Sequence, residues 1–295
     1  MVKIGLIYKQ LVDRDFKILN IIERFIGRFE YVPLELIEKY SGIPETQLFL
    51  SLSKLHRLGL VKRASFENRR AFRLTYLGLD MIALKSLVNK NILEAIGDRI
   101  GVGKESDIYS GLAPGGRNVI VKFLRIGRTS FRRTRISRSW VTDSKHTWFH
   151  QSKIAAEREY IALKEINRVG GSVPYPFGYN RHVVVIEYVN GIELYRKPKL
   201  KDPVKVLNTI LDTLRKAYVD IGIIHGDLSE YNIIVDVEND KPFIIDWPQY
   251  VYRDHPSADA LLERDVKYIT RFFTKNYSVD IDLNNVLKYV RGLNG

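Results

Sequence analysis

The chain has 295 residues, 45% of them hydrophobic, which is enough to bury sizeable cores and suggests about two domains, and no run of about 18 apolar residues that would cross a membrane. It contains no cysteine, which excludes disulfides and thiolate metal sites and leaves carboxylate and amide oxygens as ligands, a chemistry that favours magnesium over zinc. Forty-seven Lys and Arg against 34 Asp and Glu give a net charge of +13, a balance that suits a polyanionic partner, although Lys- and Glu-rich composition also accompanies thermophily.

The opening stretch, MVKIGLIYKQLVDRD, meets charge too early for a signal peptide, so a cytoplasmic location without a membrane partner is expected. Residues 14–27 place Phe16, Leu19, Ile22 and Ile26 on one helical face, with Gly27 as the stop. VPLELIEKYSG predicts a second helix with Pro33 in its first turn and Gly42 at its close. IPETQLFLSLSKLHRLG repeats the design with Pro44, Leu48, Leu52, Leu55 and Gly59. LVKRAS and RAFRLT, around a turn at Glu67 and Asn68, read as a two-stranded wing before a closing helix from Tyr76 to about Leu87.

These elements, and LHRLGLVKR…LTYLGLD above all, resemble a winged helix-turn-helix domain over residues 1–90. The resemblance implies a third helix, Glu45 to Leu58, whose polar side presents Gln47, Ser51, Lys54 and Arg57. It also implies a wing whose Lys62, Arg63, Arg69, Arg70 and Arg73 meet phosphates. Winged helices also dock proteins, so both nucleic acid and protein stand as partners of this domain.

Residues 88–101 read as a short connecting helix. Strand-like runs at Val119–Lys122, Val183–Ile186, Ile233–Val235 and Phe243–Ile245 then alternate with helical stretches, so the second domain, residues 91–295, is mixed and the fold class is α+β.

HGDLSEYNIIV…FIIDW, residues 225–247, is the most specific signal in the chain. Phosphoryl transfer needs a carboxylate to orient the attacking hydroxyl, here Asp227. It also needs an amide oxygen and a carboxylate to hold magnesium against phosphates, here Asn232 and Asp246. GVGKESDIY supplies a glycine hairpin, Gly101, Val102, Gly103, Lys104, Glu105 and Ser106, whose amides suit phosphates. VIVK follows in order and puts Lys122 on a strand, matching the lysine that pairs α- and β-phosphates. The carboxylate partner of that lysine belongs on the next helix, KIAAEREYIALKEI, where Glu159 competes with Glu157. VVVIEYVNGIEL reads as a strand and hinge, with Ile186 behind adenine and the Glu187 carbonyl and Val189 amide at its edge.

All five elements in this order resemble the protein-kinase-like fold, with an N-lobe over about 91–187 and a C-lobe over about 188–295. GKES in place of a third glycine, HGDLSEYN and IIDWPQ, behind a winged helix and before RIGRTSFRRTR, look like the second subfamily of the Rio kinases. Only 49 residues follow Asp246, too few for the usual activation segment and peptide-binding helices. The resemblance implies an atypical serine/threonine kinase that uses ATP and Mg2+, with Mn2+ as a substitute, and acts in maturation of the small ribosomal subunit. Its partners would be the rRNA and ribosomal proteins of the precursor. ATP hydrolysis would serve as an assembly switch, with Asp246 able to receive the phosphoryl group. Nothing in the sequence sets an oligomeric state, and a monomer is the expectation.

Between Arg125 and Arg138 stand six arginines with no acid among them. Self-repulsion keeps such a loop open until an anion orders it, and Arg132, Arg133 and Arg135 are expected to meet RNA phosphates, with Ser130 as an autophosphorylation site. A solvated loop without a partner is the plainer reading. Two rival functions share the same motifs: a ribosome assembly scaffold that does not phosphorylate, and a small-molecule kinase of the aminoglycoside or choline type.

Overall fold

The computed structural model describes residues 4–66, 69–103, 105–126 and 148–293. The chain forms two compact units, residues 1–123 and 124–295.

In the first unit, α1 (Ile4–Lys9) precedes α2 (Asp13–Arg24), which buries Phe16, Ile18, Leu19, Ile21 and Ile22. A two-residue strand β1 (Val32–Pro33) leads into α3 (Leu34–Ser41), and α4 (Glu45–Arg57) follows. Pro33 and Pro44 lie at the N-caps of α3 and α4, one residue ahead of the first turn, where the missing N–H is equally harmless. Gly42 ends α3 at φ 59°, in the left-handed region that a side chain would resist.

The wing is the hairpin β2 (Val61–Phe66) and β3 (Arg69–Leu74), registered from Val61 against Leu74 to Phe66 against Arg69. β1 pairs the other edge of β3, which two residues are too few to signal by periodicity. Thr75 then caps α5 (Tyr76–Asn89) by accepting the Gly78 N–H at 3.1 Å. The result is the expected winged helix, with α2 packed on α3, α4 and α5.

One element differs from its expectation. Residues 88–101 are not a connecting helix: Asn91 turns the chain out of α5 at φ 56°, and Ala95–Val102 is strand β4. Gly97 and Gly101 lower helix propensity there, and exposure alternates over much of the strand. β4 pairs antiparallel with β5 (Ser106–Ala113), which in turn neighbours β6 (Arg117–Leu124). Helix α1 packs on β4.

The second unit holds α6 (Trp148–Arg168) and the hairpin β7 (Pro176–Asn180) and β8 (Val183–Glu187). Beyond β9 (Ile192–Glu193), α7 (Pro203–Lys216) is capped by Asp202, which accepts the Lys205 N–H at 3.0 Å. Four short strands follow: β10 (Ile223–Ile224), β11 (Ile233–Asp236), β12 (Lys241–Ile244) and β13 (Val251–Tyr252). β12, β11 and β9 form one small sheet, and β10 pairs with β13. Helices α8 (Ala258–Tyr277) and α9 (Leu283–Val290) close the unit over a core that includes Leu211, Leu214, Leu262, Val266, Ile269 and Phe273. No helix among the described residues is long and apolar enough to cross a membrane.

Candidate active site

Two apolar residues, Ile223 and Ile224, form a buried strand that delivers His225 into the core. Its Nε2 donates to the Ile245 carbonyl at 3.0 Å and its Nδ1 accepts the Asp227 N–H at 3.3 Å. The His225 ring packs at 4.6 Å on the buried indole of Trp247, whose Nε1 donates to the Ile244 carbonyl at 3.2 Å. One histidine thereby joins the HGD loop to the IIDW strand end.

Gly226 turns the chain at φ 78°, and a Cβ there would stand 3.3 Å from the Gln249 carbonyl oxygen. Asp265, on α8 and 1% exposed, accepts the Gly226 N–H at 2.8 Å and the Leu228 N–H at 3.3 Å. Arg264 pairs with that carboxylate at 3.1 Å and also donates to the Gly226 carbonyl. The loop is therefore fixed by side chains as well as by its own backbone.

Asp227 projects from this loop with its side chain reaching solvent. Burial by the surrounding protein raises its carboxyl above the ordinary value; His225 and Arg264 oppose the rise, and the negative charges of Asp246 and Asp265 add to it. Asn232 donates its side-chain N–H to the Asp227 carbonyl at 2.8 Å, while its backbone carbonyl accepts the Ile245 N–H at 2.9 Å. That use of the amide nitrogen leaves Oδ1 as an oxygen no donor among the described residues engages. Asp246, next after Ile245, sits in the left-handed region at φ 68°, a conformation that costs a non-glycine residue and persists where the surroundings dictate it.

Asp227, Asn232 and Asp246 thus belong to one constellation of the second unit. No cluster of three His, Cys, Asp or Glu among the described residues could hold an ion by itself. An amide oxygen and a carboxylate nonetheless fit Mg2+, which keeps waters and shares phosphate oxygens instead of filling an all-protein cage.

Of the two glutamates on α6, Glu157 is exposed and accepts the Tyr179 hydroxyl at 3.0 Å, whereas Glu159 is 1% exposed. A carboxylate so buried requires compensation, which makes Glu159 the functional candidate. At the expected hinge, Ile186 is buried, the Glu187 N–H donates to the Tyr175 carbonyl at 2.8 Å, and the Glu187 carboxylate accepts the Tyr175 N–H at 3.1 Å. The Val189 N–H meets no acceptor among the described residues.

In the first unit, Lys122 lies on β6 between Val121 and Phe123, both fully buried, and is itself only 8% exposed. Gly101 and Val102 end β4, and Ser106 begins β5. The turn between them closes through the Gly103 N–H, which donates to the Ser106 carbonyl at 2.8 Å, and passes through Glu105. Lys62, Arg63, Arg69 and Arg70 are exposed on the wing, with the Arg70 guanidinium 5.2 Å above the Phe49 ring. Arg73 is paired with Glu30 at 2.8 Å.

The polar side of α4 is only partly as expected: Gln47 and Arg57 are exposed. Ser51 is buried and accepts from Arg14 at 2.9 Å, Gln47 accepts from the same guanidinium at 2.9 Å, and Lys54 pairs with Asp15. Arg14 and Asp15, in the amino-terminal turn of α2, engage three of the four side chains, which periodicity within α4 alone could not reveal. Lys104, Ser130, Arg132, Arg133 and Arg135 lie outside the described residues.

Three residues of the site escaped the sequence: Asp265, Arg264 and Arg158. Asp265 carried a usable signal, a charge on the helical face of Leu262, Val266 and Ile269, where only a partnered carboxylate survives. Arg158, between the two glutamates, donates to the carbonyls of Pro248 and Tyr250, just after Asp246.

A glycine-turned HGD loop, an asparagine tied back to it and a strand-end aspartate define a phosphotransferase of the protein-kinase-like class. The RIO domain family matches residues 107–286, and the family described as Rio2, N-terminal, matches residues 8–90. The chain belongs to the RIO family, with the amino-terminal domain of its Rio2 branch. It is 38% identical to the RIO-type serine/threonine-protein kinase Rio2 of Methanocaldococcus jannaschii over 88% of this chain and 98% of that one. It is 34% identical to the serine/threonine-protein kinase rio2 of Schizosaccharomyces pombe, over 94% of this chain and 80% of that one. The crystal structure of the Rio2 kinase-ADP/Mg2+-phosphoaspartate complex from Chaetomium thermophilum matches with a TM-score of 0.81 at 30% identity, covering 97% of this chain and 87% of that one.

Proposed function

We propose that this chain is an ATP- and Mg2+-dependent phosphotransferase of the serine/threonine-kinase type whose turnover serves maturation of the small ribosomal subunit in the cytoplasm. The observation that carries the catalytic part is the Asp227, Asn232 and Asp246 constellation, in which the Asn232 amide is oriented by its bond to the Asp227 carbonyl. Asn232 and Asp246 would hold the ion, and Asp227 would orient the acceptor hydroxyl or water. Lys122 and the Gly103 turn would meet the phosphates, with Glu159 the buried carboxylate assigned to the same clamp. Ile186, Glu187 and Val189 would border adenine. Magnesium, when bound, neutralises charge developing on the phosphates.

A self-acting ATPase is favoured by one specific observation, the phosphoaspartate in the Chaetomium relative. In that course a carboxylate oxygen of Asp246 attacks the γ-phosphorus and the bond to the β,γ-bridging oxygen breaks. ADP leaves with the electron pair, and water later cleaves the acyl phosphate.

The partner reading rests on charge: a net +13 and the exposed wing cations Lys62, Arg63, Arg69 and Arg70 suit rRNA. The arginines 132, 133 and 135 are assigned to the same polyanion. The test follows γ-labelled ATP with Mg2+, with and without small-subunit precursor. Free phosphate stimulated by the precursor, with acid-labile label on the chain, supports the switch. Acid-stable label on serine or threonine supports a protein kinase, and no turnover with intact nucleotide binding leaves a scaffold.

A further inference from the structure

The stretch from Asp246 to β13 is four residues long, Trp247 to Tyr250, and two of its carbonyls are met by one side chain from another element. Arg158 on α6 donates from Nε to the Pro248 carbonyl at 3.0 Å and from Nη2 to the Tyr250 carbonyl, and its guanidinium lies 3.9 Å over the Tyr250 ring. That ring is buried, and its phenol is pushed up to about 12, first by burial and then by the Tyr252 hydroxyl 3.3 Å away, so it remains neutral beneath the cation. Burial lowers the Arg158 guanidinium from its ordinary value.

The same stretch is held from a second direction. β13 pairs with β10, Val251 against Ile224 and Tyr252 against Ile223, and the Arg253 N–H donates to the Gly222 carbonyl at 2.8 Å. β10 is the strand that enters the HGD loop. The Trp247–Tyr250 stretch therefore lies between the strand that leads to Asp227 and the helix that carries Glu159, and Arg158 is its tie to that helix.

We propose that Arg158 is a positioning residue for Asp246: by fixing the two carbonyls that follow, it holds the left-handed backbone at Asp246 in the conformation that presents the carboxylate to the ion. This rests on the assignment of Asp246 to magnesium. The requirement is for an arginine, because only its planar fork reaches two carbonyls while stacking on an aromatic face. A lysine at this position satisfies one carbonyl at most.

The test reads ion binding separately from turnover. ADP affinity is measured calorimetrically in EDTA and across a magnesium series for wild type, Arg158→Ala, Arg158→Lys and Asp246→Asn. Arg158→Ala is expected to raise the magnesium concentration that half-maximally tightens ADP binding by about tenfold, with affinity in EDTA unchanged and Arg158→Lys intermediate. Asp246→Asn should abolish the magnesium dependence.

A wild-type magnesium response in Asp246→Asn overturns the ion assignment and this proposal with it. Loss in Asp246→Asn with a wild-type response in Arg158→Ala overturns the positioning role alone. Should Arg158→Ala not fold, Arg158→Lys decides by the same criterion: a shifted magnesium midpoint supports the role and an unshifted one removes it.

Discussion

Two turns of this molecule, one in each unit, are built by different means. The HGD loop is held by buried side chains: Asp265 accepts two of its N–H groups, Arg264 donates to a third group, and His225 bridges it to the Ile245 carbonyl. Among the described residues the Gly103 turn is closed by the backbone bond from the Gly103 N–H to the Ser106 carbonyl, beside Ile100 and Val102, which are 54% and 60% exposed. Under the proposed function the first would place a carboxylate whose direction matters to the chemistry, which a polar network suits, and the second would offer amides to a flexible polyphosphate, for which a hairpin that can adjust is sufficient.

Removing the network should have the largest effect. Asp265→Ala leaves the Gly226 and Leu228 N–H groups without their acceptor, and a loss of about 2–4 kcal/mol in stability is expected, measured by urea unfolding, with turnover reduced beyond what the folded fraction explains. A loss below about 0.5 kcal/mol, within the range of an ordinary surface substitution, would show that the loop stands without it.

A smaller and sharper contrast comes from one added methyl. Gly226→Ala forces a side chain into φ 78° beside the Gln249 carbonyl and should cost about 1–2 kcal/mol. At Gly103 a Cβ would meet the rotatable Ser106 hydroxyl at 3.0 Å and the Ser106 backbone at ordinary contact distances of 3.6 Å and 3.8 Å, without positive φ, so Gly103→Ala should stay within about 0.5 kcal/mol. Equal costs in the two variants would erase the distinction between the turns.

The smallest effect is one of sign. Because the folded protein raises the Asp227 carboxyl above its unfolded value, the ionised form destabilises the fold. Stability attributable to this group is full below the unfolded pKa and falls as pH rises through the folded one. Asp227→Asn should therefore melt higher than wild type at neutral pH, and the gain should vanish in acid; a gain that grows toward acid would contradict the assigned cause.

The motifs were legible where chemistry is local in sequence. Asp227, Asn232 and Asp246 stand within 20 positions of one another, and their identity is set by the reaction. The winged helix was legible because its helices are amphipathic and end on Gly42 and Gly59. What could not be read is nonlocal: the burial of Ser51 under Arg14, the pairing of β1 with β3, and the tie from Arg158 to carbonyls 90 and 92 residues away. The connecting helix expected at residues 88–101 failed because a short, glycine-interrupted segment takes its state from the strand beside it.

The proposed division of labour between the two aspartates is tested most directly by binding and single-turnover measurements on Asp227→Asn and Asp246→Asn with ATP and Mg2+. Asp227→Asn is expected to bind ATP with its magnesium dependence intact while turnover falls about 10²- to 10⁴-fold, and Asp246→Asn to lose the magnesium dependence itself. Normal turnover in Asp227→Asn, or an unaltered magnesium requirement in Asp246→Asn, would contradict it.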